Sequence, residues 1–251
     1  MPTHMKKKAK GQFKKADLIS EIMDEKHPRK YIEGKDITRY SINRIRYLEY
    51  GTKRSPAKLR RPTFEKLYTS PKILINKMGI LEAMFDNKSI MCDQTNKICI
   101  LWKDLKGVEN KSISASIKKF STYSREEMEV LSEKLNLYYL LAILNSTYIN
   151  ILLDIIRGVG NIDINTEYLR NLPIPIAPPA DMQALSDYAK QELALHQKLK
   201  EATLPQDKAM IENSIKALDN QIDVLVYKIY GLTKEEIEKL STHRQRWGSR
   251  G

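Results

Sequence analysis

The stretch EYLRNLPIPIAPPADMQ, from Glu167 to Gln183, sets Leu172, Ile174 and Ile176 among Pro173, Pro175, Pro178 and Pro179. Proline has no amide hydrogen and fixes its own φ, so this segment can be neither helix nor a central strand. Apolar residues at every second position predict an extended backbone with one side held against a core. After it the pattern is helical. Asp181–Lys200 and Gln206–Tyr230 are expected as two long helices broken at Pro205. The second carries Ile211, Ile215, Leu218, Ile222, Leu225 and Ile229, alternately four and three apart, a seam that should pack on the first helix or pair with another chain. GLTKEEIEKL closes the pattern with a short helix, capped by Thr233 with Glu236 at its third position.

Upstream, ADLISEIMDEKH is expected as a short helix, and RKYIEGKDITRYSINRIRYLEYG as strands bracketed by Gly34 and Gly51. KILINKMG, LEAMFD, SIMCD and KICILW read as a β centre of short strands. A turn at Thr95 and Asn96 would set Cys92 and Cys99 facing each other across a hairpin as reduced core residues, with no ligand set for a metal. SREEMEVLSEKLNLYYLLAILNSTYINILLDIIRG is helical, with Ser124 as N-cap before Glu127 and Gly158 as stop. Its most apolar part, Leu137–Ile156, contains Asn145, Asn150 and Asp154, a poor membrane span and an expected buried helix or helix pair. With only two cysteines and no secretory signal, the reading is a protein of the reducing cytoplasm with no membrane partner.

The net charge of +12 is unevenly placed. Residues 1–62 carry 18 Lys/Arg against 7 Asp/Glu, and the remainder 25 against 24. Such asymmetry suggests a polyanionic partner, most simply double-stranded DNA, although a solvated basic arm is the plainer explanation for residues 1–15. Between Lys35 and Arg61 there are nine Lys/Arg, two acids (Asp36 and Glu49) and Tyr40, Tyr47 and Tyr50. Arginine can clamp a guanine edge or a phosphate with its planar fork, and lysine serves phosphates as a point charge. On local charge alone the candidate DNA contacts are Arg39, Arg44, Arg46, Lys53, Arg54, Lys58, Arg60, Arg61, Lys72 and Lys77. The four histidines are scattered, and no glycine-rich phosphate loop or Asn/Asp-Pro-Pro-Tyr/Phe motif of amino-methyltransferases occurs. No catalytic residues, metal or cofactor are therefore assigned.

The runs YIEGKDITRYSI, PKILINKMGILEAMFDNKSIMCDQTNKICIL, LYYLLAILNSTYINILL, NIDINTEYLRNLPIPIAP and IDVLVYKIYGLTKEEIEKL, in that order, resemble the TaqI-like C-terminal specificity domain over roughly residues 30–240. They are also similar to one half of a type I restriction specificity subunit. The resemblance implies an α+β target-recognition domain with a short-stranded β centre, followed by a helical hairpin or spacer. It implies a sequence-specific DNA reader without catalytic motifs of its own, serving a methyltransferase or nuclease domain or subunit in a restriction–modification or defence system. Asn145, Ser146, Arg170, Asn171 and Pro173 match the motif and are read as structural. The proline segment becomes the exit from the globular body. The expected organisation is a basic arm at 1–15, the recognition domain at 16–178, a helical spacer or docking region at 179–240 and a tail at 241–251. Family members carry a methyltransferase ahead of this region, so the chain is read as a fragment or a separate specificity subunit. A protein–protein adaptor or half-subunit is the alternative, and a small metal-dependent nuclease a weaker one.

Overall fold

A computed structural model describes residues 14–53, 55, 65–120, 122–158 and 160–240. Its architecture is α+β: three small sheets in the first half, helices in the second. A four-stranded sheet has β1 (Ile19–Ser20), β5 (Arg46–Leu48), β2 (Arg29–Ile32) and β8 (Met91–Cys92) in that spatial order, with β8 parallel to β2. β3 (Ile37–Thr38) and β4 (Ser41–Ile42) form a two-stranded hairpin, whose turn residue Tyr40 has φ +56°. The third sheet is antiparallel, with β6 (Lys72–Asn76) between β7 (Ala83–Asp86) and β9 (Asn96–Cys99). All five residues of β6 are buried, because both of its faces are covered. Ile73 and Ile75 join the main core, whereas Leu74 packs with Ile32, Ile37, Ile42 and Ile90 on the other side.

The four β runs are strands as expected, but two local expectations fail. ADLISEIMDEKH forms a 3-10 turn at Lys15–Leu18 and then β1, leaving Ile22 and Met23 exposed. Pairing of Ile19 and Ser20 with β5 outweighs helix propensity there. Cys92 and Cys99 do not face each other, since β8 pairs with β2 while β9 pairs with β6. Burial pushes their thiols up to about 12 and about 11 respectively, so both behave as packing residues.

The helices follow their cap signals. After the short α1 (Lys66–Thr69) and α2 (Lys111–Phe120) comes α3 (Arg125–Glu133), opened by the Ser124–Glu127 capping box. Asn136 caps α4 (Leu137–Asn145), and Ser146 caps α5 (Thr147–Arg157), which ends at Gly158 with φ +80°. α6 (Thr166–Arg170) precedes the proline segment. Among the described residues no single helix is long and apolar enough to cross a membrane. α4 and α5, the most apolar pair, meet at 67° and form the centre of the main core.

The polar residues within this pair have a structural purpose. β7 has an edge not paired with β6. Asn145 meets it at Ala83, accepting the N–H and donating to the carbonyl, each at 2.9 Å. Asn150 does the same at Leu81, at 2.8 and 3.3 Å. Two side-chain amides thus substitute for a neighbouring strand, which satisfies buried backbone groups and closes the sheet edge.

The proline segment is extended, with Leu172 and Ala177 buried and Ile174 half-buried. Tyrosine hydroxyls hold it: Tyr139 donates to the Pro175 carbonyl and Tyr230 to that of Pro173, both at 2.7 Å. The alternation stops at Ile176, which is 51% exposed. α7 (Pro179–Glu201) and α8 (Pro205–Ile229) then fold back as a hairpin, each opening with a proline in its first turn. Leu185, Ala189, Leu218, Ile222 and Val226 enter the same core as Ile73 and Leu140. The α8 seam packs within the chain, with Val226 rather than Leu225 the deepest residue of its turn.

Candidate nucleic-acid interface

Ion pairing sorts the basic residues. Arg46 is 7% exposed, on β5, and its guanidinium pairs with Asp36 and, at 3.2 Å, with Glu33. Lys15 reaches Glu33 and Asp93, both at 2.5 Å. Its hydrogen bond, with help from Lys35 and Arg46, pulls the Glu33 carboxyl down to about 2. This network ties β2, β5 and the β8–β9 connection into one unit. Next to it Gly34 is tightly confined, because a Cβ there would stand 2.1 Å from the Thr95 carbonyl oxygen and force the backbone to shift.

Lys72 is wholly buried on β6, paired with Asp86, and donates to the Tyr68 carbonyl at 2.5 Å. Arg39 leaves the β3–β4 turn to grip Asp219 of α8 with both nitrogens, at 2.9 and 2.6 Å. Tyr40, beside it, is buried with its ring 5.9 Å from that of His196 on α7. The expectation that Arg39, Arg46 and Lys72 offer charge at the surface is therefore corrected. Their cationic groups are taken up by Asp219, by Asp36 and Glu33, and by Asp86. Arg44 is exposed and bonded to Glu21 at 2.5 Å, while Lys53 is exposed. Arg54, Lys58, Arg60 and Arg61 lie outside the described residues, as do 1–13 and 241–251.

A different cluster remains. Lys77 follows β6, and Lys97 of β9 lies opposite Ile75 in the ladder. Neither has a salt bridge among the described residues. Burial lowers the Lys97 ammonium below its ordinary value, and the like charge of Lys77 lowers it further, against Asp163. Lys97 thus has both a like charge, Lys77, and a carboxylate, Asp163, in its surroundings. Lys77 lines a cavity of about 510 Å³ with Met78, Thr95, the carboxylates Glu33 and Glu82, and Lys35, which is itself paired with Glu33 at 3.1 Å. Lys97 and Gln94 lie on the rim of a second, largely apolar cavity of about 620 Å³ that also meets Trp102 and Arg170. Lys77 was a candidate from charge; Lys97, Lys35 and Gln94 were not. An isolated lysine in an apolar run such as KICILW stands out only once the ladder brings it beside another. Among the described residues, no group of three or more His, Cys, Asp or Glu could hold a metal ion.

Residues 29–117 match the TaqI-like C-terminal specificity domain. The matched specificity-domain segment runs from the first residue of β2 into α2, so it contains all three sheets except β1. It also contains Lys35, Lys77, Gln94 and Lys97. It ends before the LRNLPIP run and before LAILNS, whose Asn145 bonds the Ala83 backbone from the helical side. No curated protein matches the chain.

Proposed function

We propose that the chain is a sequence-specific DNA-binding target-recognition module of a restriction–modification or defence methyltransferase system. The observation that carries this reading is the specificity-domain match over residues 29–117, within which Lys77 and Lys97 lie close enough to repel and have no salt bridge among the described residues, with the Asp163 carboxylate near Lys97. Lysines there would hold phosphates, supplying most of the affinity and a strong salt dependence, while polar groups nearby such as Gln94 would read base edges. Lys53, Arg54, Lys58, Arg60 and Arg61 stand as further contacts on sequence charge alone. In this reading residues 16–178 are the recognition body and 179–240 the helical region to which a methyltransferase or nuclease domain or subunit docks. Catalysis belongs to that partner.

The test is a salt-titrated mobility shift on duplexes enriched from a random-sequence library. Lys77→Glu with Lys97→Glu should cost at least about tenfold in affinity at moderate salt and flatten the plot of log affinity against log salt by about 2. Unchanged affinity and slope in a folded double variant would overturn this placement of the interface.

One observation favours an adaptor role alongside. The α7–α8 hairpin leaves the separate apolar side chains of Leu204, Met210 and Val224 between 60% and 67% exposed, where a protein partner would cover them. Pull-down of the cognate methyltransferase by a chain carrying Met210→Glu and Val224→Glu should fail if that surface is used.

A further inference from the structure

The connection between β6 and β7 is tied down at an unusual number of points. Asn76 sits at its centre, donating through Nδ2 to the carbonyls of Met78 at 2.9 Å and Ile80 at 2.7 Å. Its Oδ1 accepts the N–H of Glu82 at 3.0 Å. Arg157 of α5 donates to the Gly79 carbonyl at 2.7 Å. The Gly79 N–H reaches the Ile162 carbonyl at 2.9 Å, and Ile164 N–H that of Lys77 at 2.7 Å. Gly79 itself takes φ +86°, where a side chain would be strained.

A frame like this ordinarily packs its apolar side chains inward. Here it does the reverse: Met78, Ile80 and Ile162 are 53%, 52% and 51% exposed. Rigid backbone thus holds three large apolar groups in water on one double-loop platform. Lys77 is joined to the platform through its carbonyl, and Lys97 is close enough to feel its charge. Asp163, exposed between Ile162 and Ile164, offsets part of that positive charge.

We propose that Met78, Ile80 and Ile162 form an apolar wedge that enters a groove of the duplex and unstacks a base step, while Lys77 and Lys97 grip the flanking phosphates. The inference rests on the DNA-recognition reading above. Charge complementarity selects the occupant, because an apolar tip beside two lysines that Asp163 only partly offsets suits a polyanion with an apolar interior. Stiffness matters for the same reason. Unstacking a base step takes work, and a loop that gave way would transmit no strain to the bases. Asn76 and Arg157 are positioning residues, acting on DNA only through the loop they hold.

The experiment compares three proteins on one library-enriched duplex, reading affinity, salt slope and bend angle by energy transfer between dyes at its ends. The wild type should bend the duplex by about 20° or more. Met78→Ser with Ile80→Ser and Ile162→Ser should lose the bend and about tenfold in affinity while keeping the salt slope, since no phosphate contact is removed. Met78→Leu should retain the bend. Lys77→Glu with Lys97→Glu should lower affinity and slope together. If the triple serine variant, folded by circular dichroism, binds and bends as the wild type does, the wedge is wrong while the lysine interface stands. If it keeps DNA behaviour but loses a methyltransferase partner, the platform is a protein surface and the wedge is again wrong. If the lysine variant is also without effect, both readings fail.

Discussion

Replacing Lys72 by methionine separates a structural cation from a DNA contact. Its ammonium is entirely buried against Asp86, whose carboxylate also accepts the N–H groups of Lys88 at 2.7 Å and Ile90 at 3.0 Å. Methionine preserves the apolar stem but leaves a carboxylate with no exposure and no counter-charge. Breaking a buried pair from one side costs about 3–5 kcal/mol, against a total stability of about 5–15 kcal/mol. The two backbone donors still bonded to Asp86 argue for the lower end of that range. At about 2–4 °C per kcal/mol for a chain of this size, the melting temperature should fall by about 6–20 °C. Adding Asp86→Asn should recover part of the loss, because the buried charge is removed while the amide oxygen still accepts one of the two N–H groups, which bond separate carboxylate oxygens in the wild type. Urea unfolding at constant m-value measures both effects. DNA affinity, read where every variant is folded, should not change. A Lys72→Met protein within about 0.5 kcal/mol of wild type but weakened on DNA would refute the reasoning.

Further outcomes follow from individual contacts. Gly34→Ala should destabilise by about 1–3 kcal/mol, because the Thr95 carbonyl occupies the place of the new methyl; an unaltered denaturation midpoint would show that this approach relaxes freely. Asn150→Ala should cost about 1–3 kcal/mol and speed amide exchange at Leu81, whose N–H loses its acceptor. Glu192 is fully buried near His196, Asp219 and Arg39, and burial raises its carboxyl above the ordinary 4.5. In the window above that value the native state binds more protons than the unfolded state, so this group lowers stability as pH rises through it. Glu192→Gln should therefore gain in melting temperature relative to wild type at neutral pH and lose that gain near pH 4; an equal difference at both would contradict a buried titration.

Several elements were legible because their causes are local. The capping boxes at Ser124 and Thr233, the stop at Gly158 and the break at Pro205 depend on residues within a turn of one another, whereas Pro179, expected in the extended segment, opens α7. The strands of the β centre were legible from short apolar runs. Their pairing was not, because β8 joins β2 across some 60 residues while β9 turns to β6, and that choice separates the two cysteines. ADLISEIMDEKH went wrong for a related reason: a long-range ladder to β5 overrode a local preference.

Amino-acid order alone determined an extended proline segment followed by two long helices, since proline chemistry and helical periodicity act over a few residues; that those helices share one core with the sheets was decided by the tertiary structure. Which cations are available to a partner was decided only in three dimensions. Coulomb attraction depends on distance through space, so Arg39 is taken up by Asp219 from 180 positions away and Arg46 by Asp36 from ten. By the same rule Lys97, unremarkable in its run, becomes conspicuous beside Lys77.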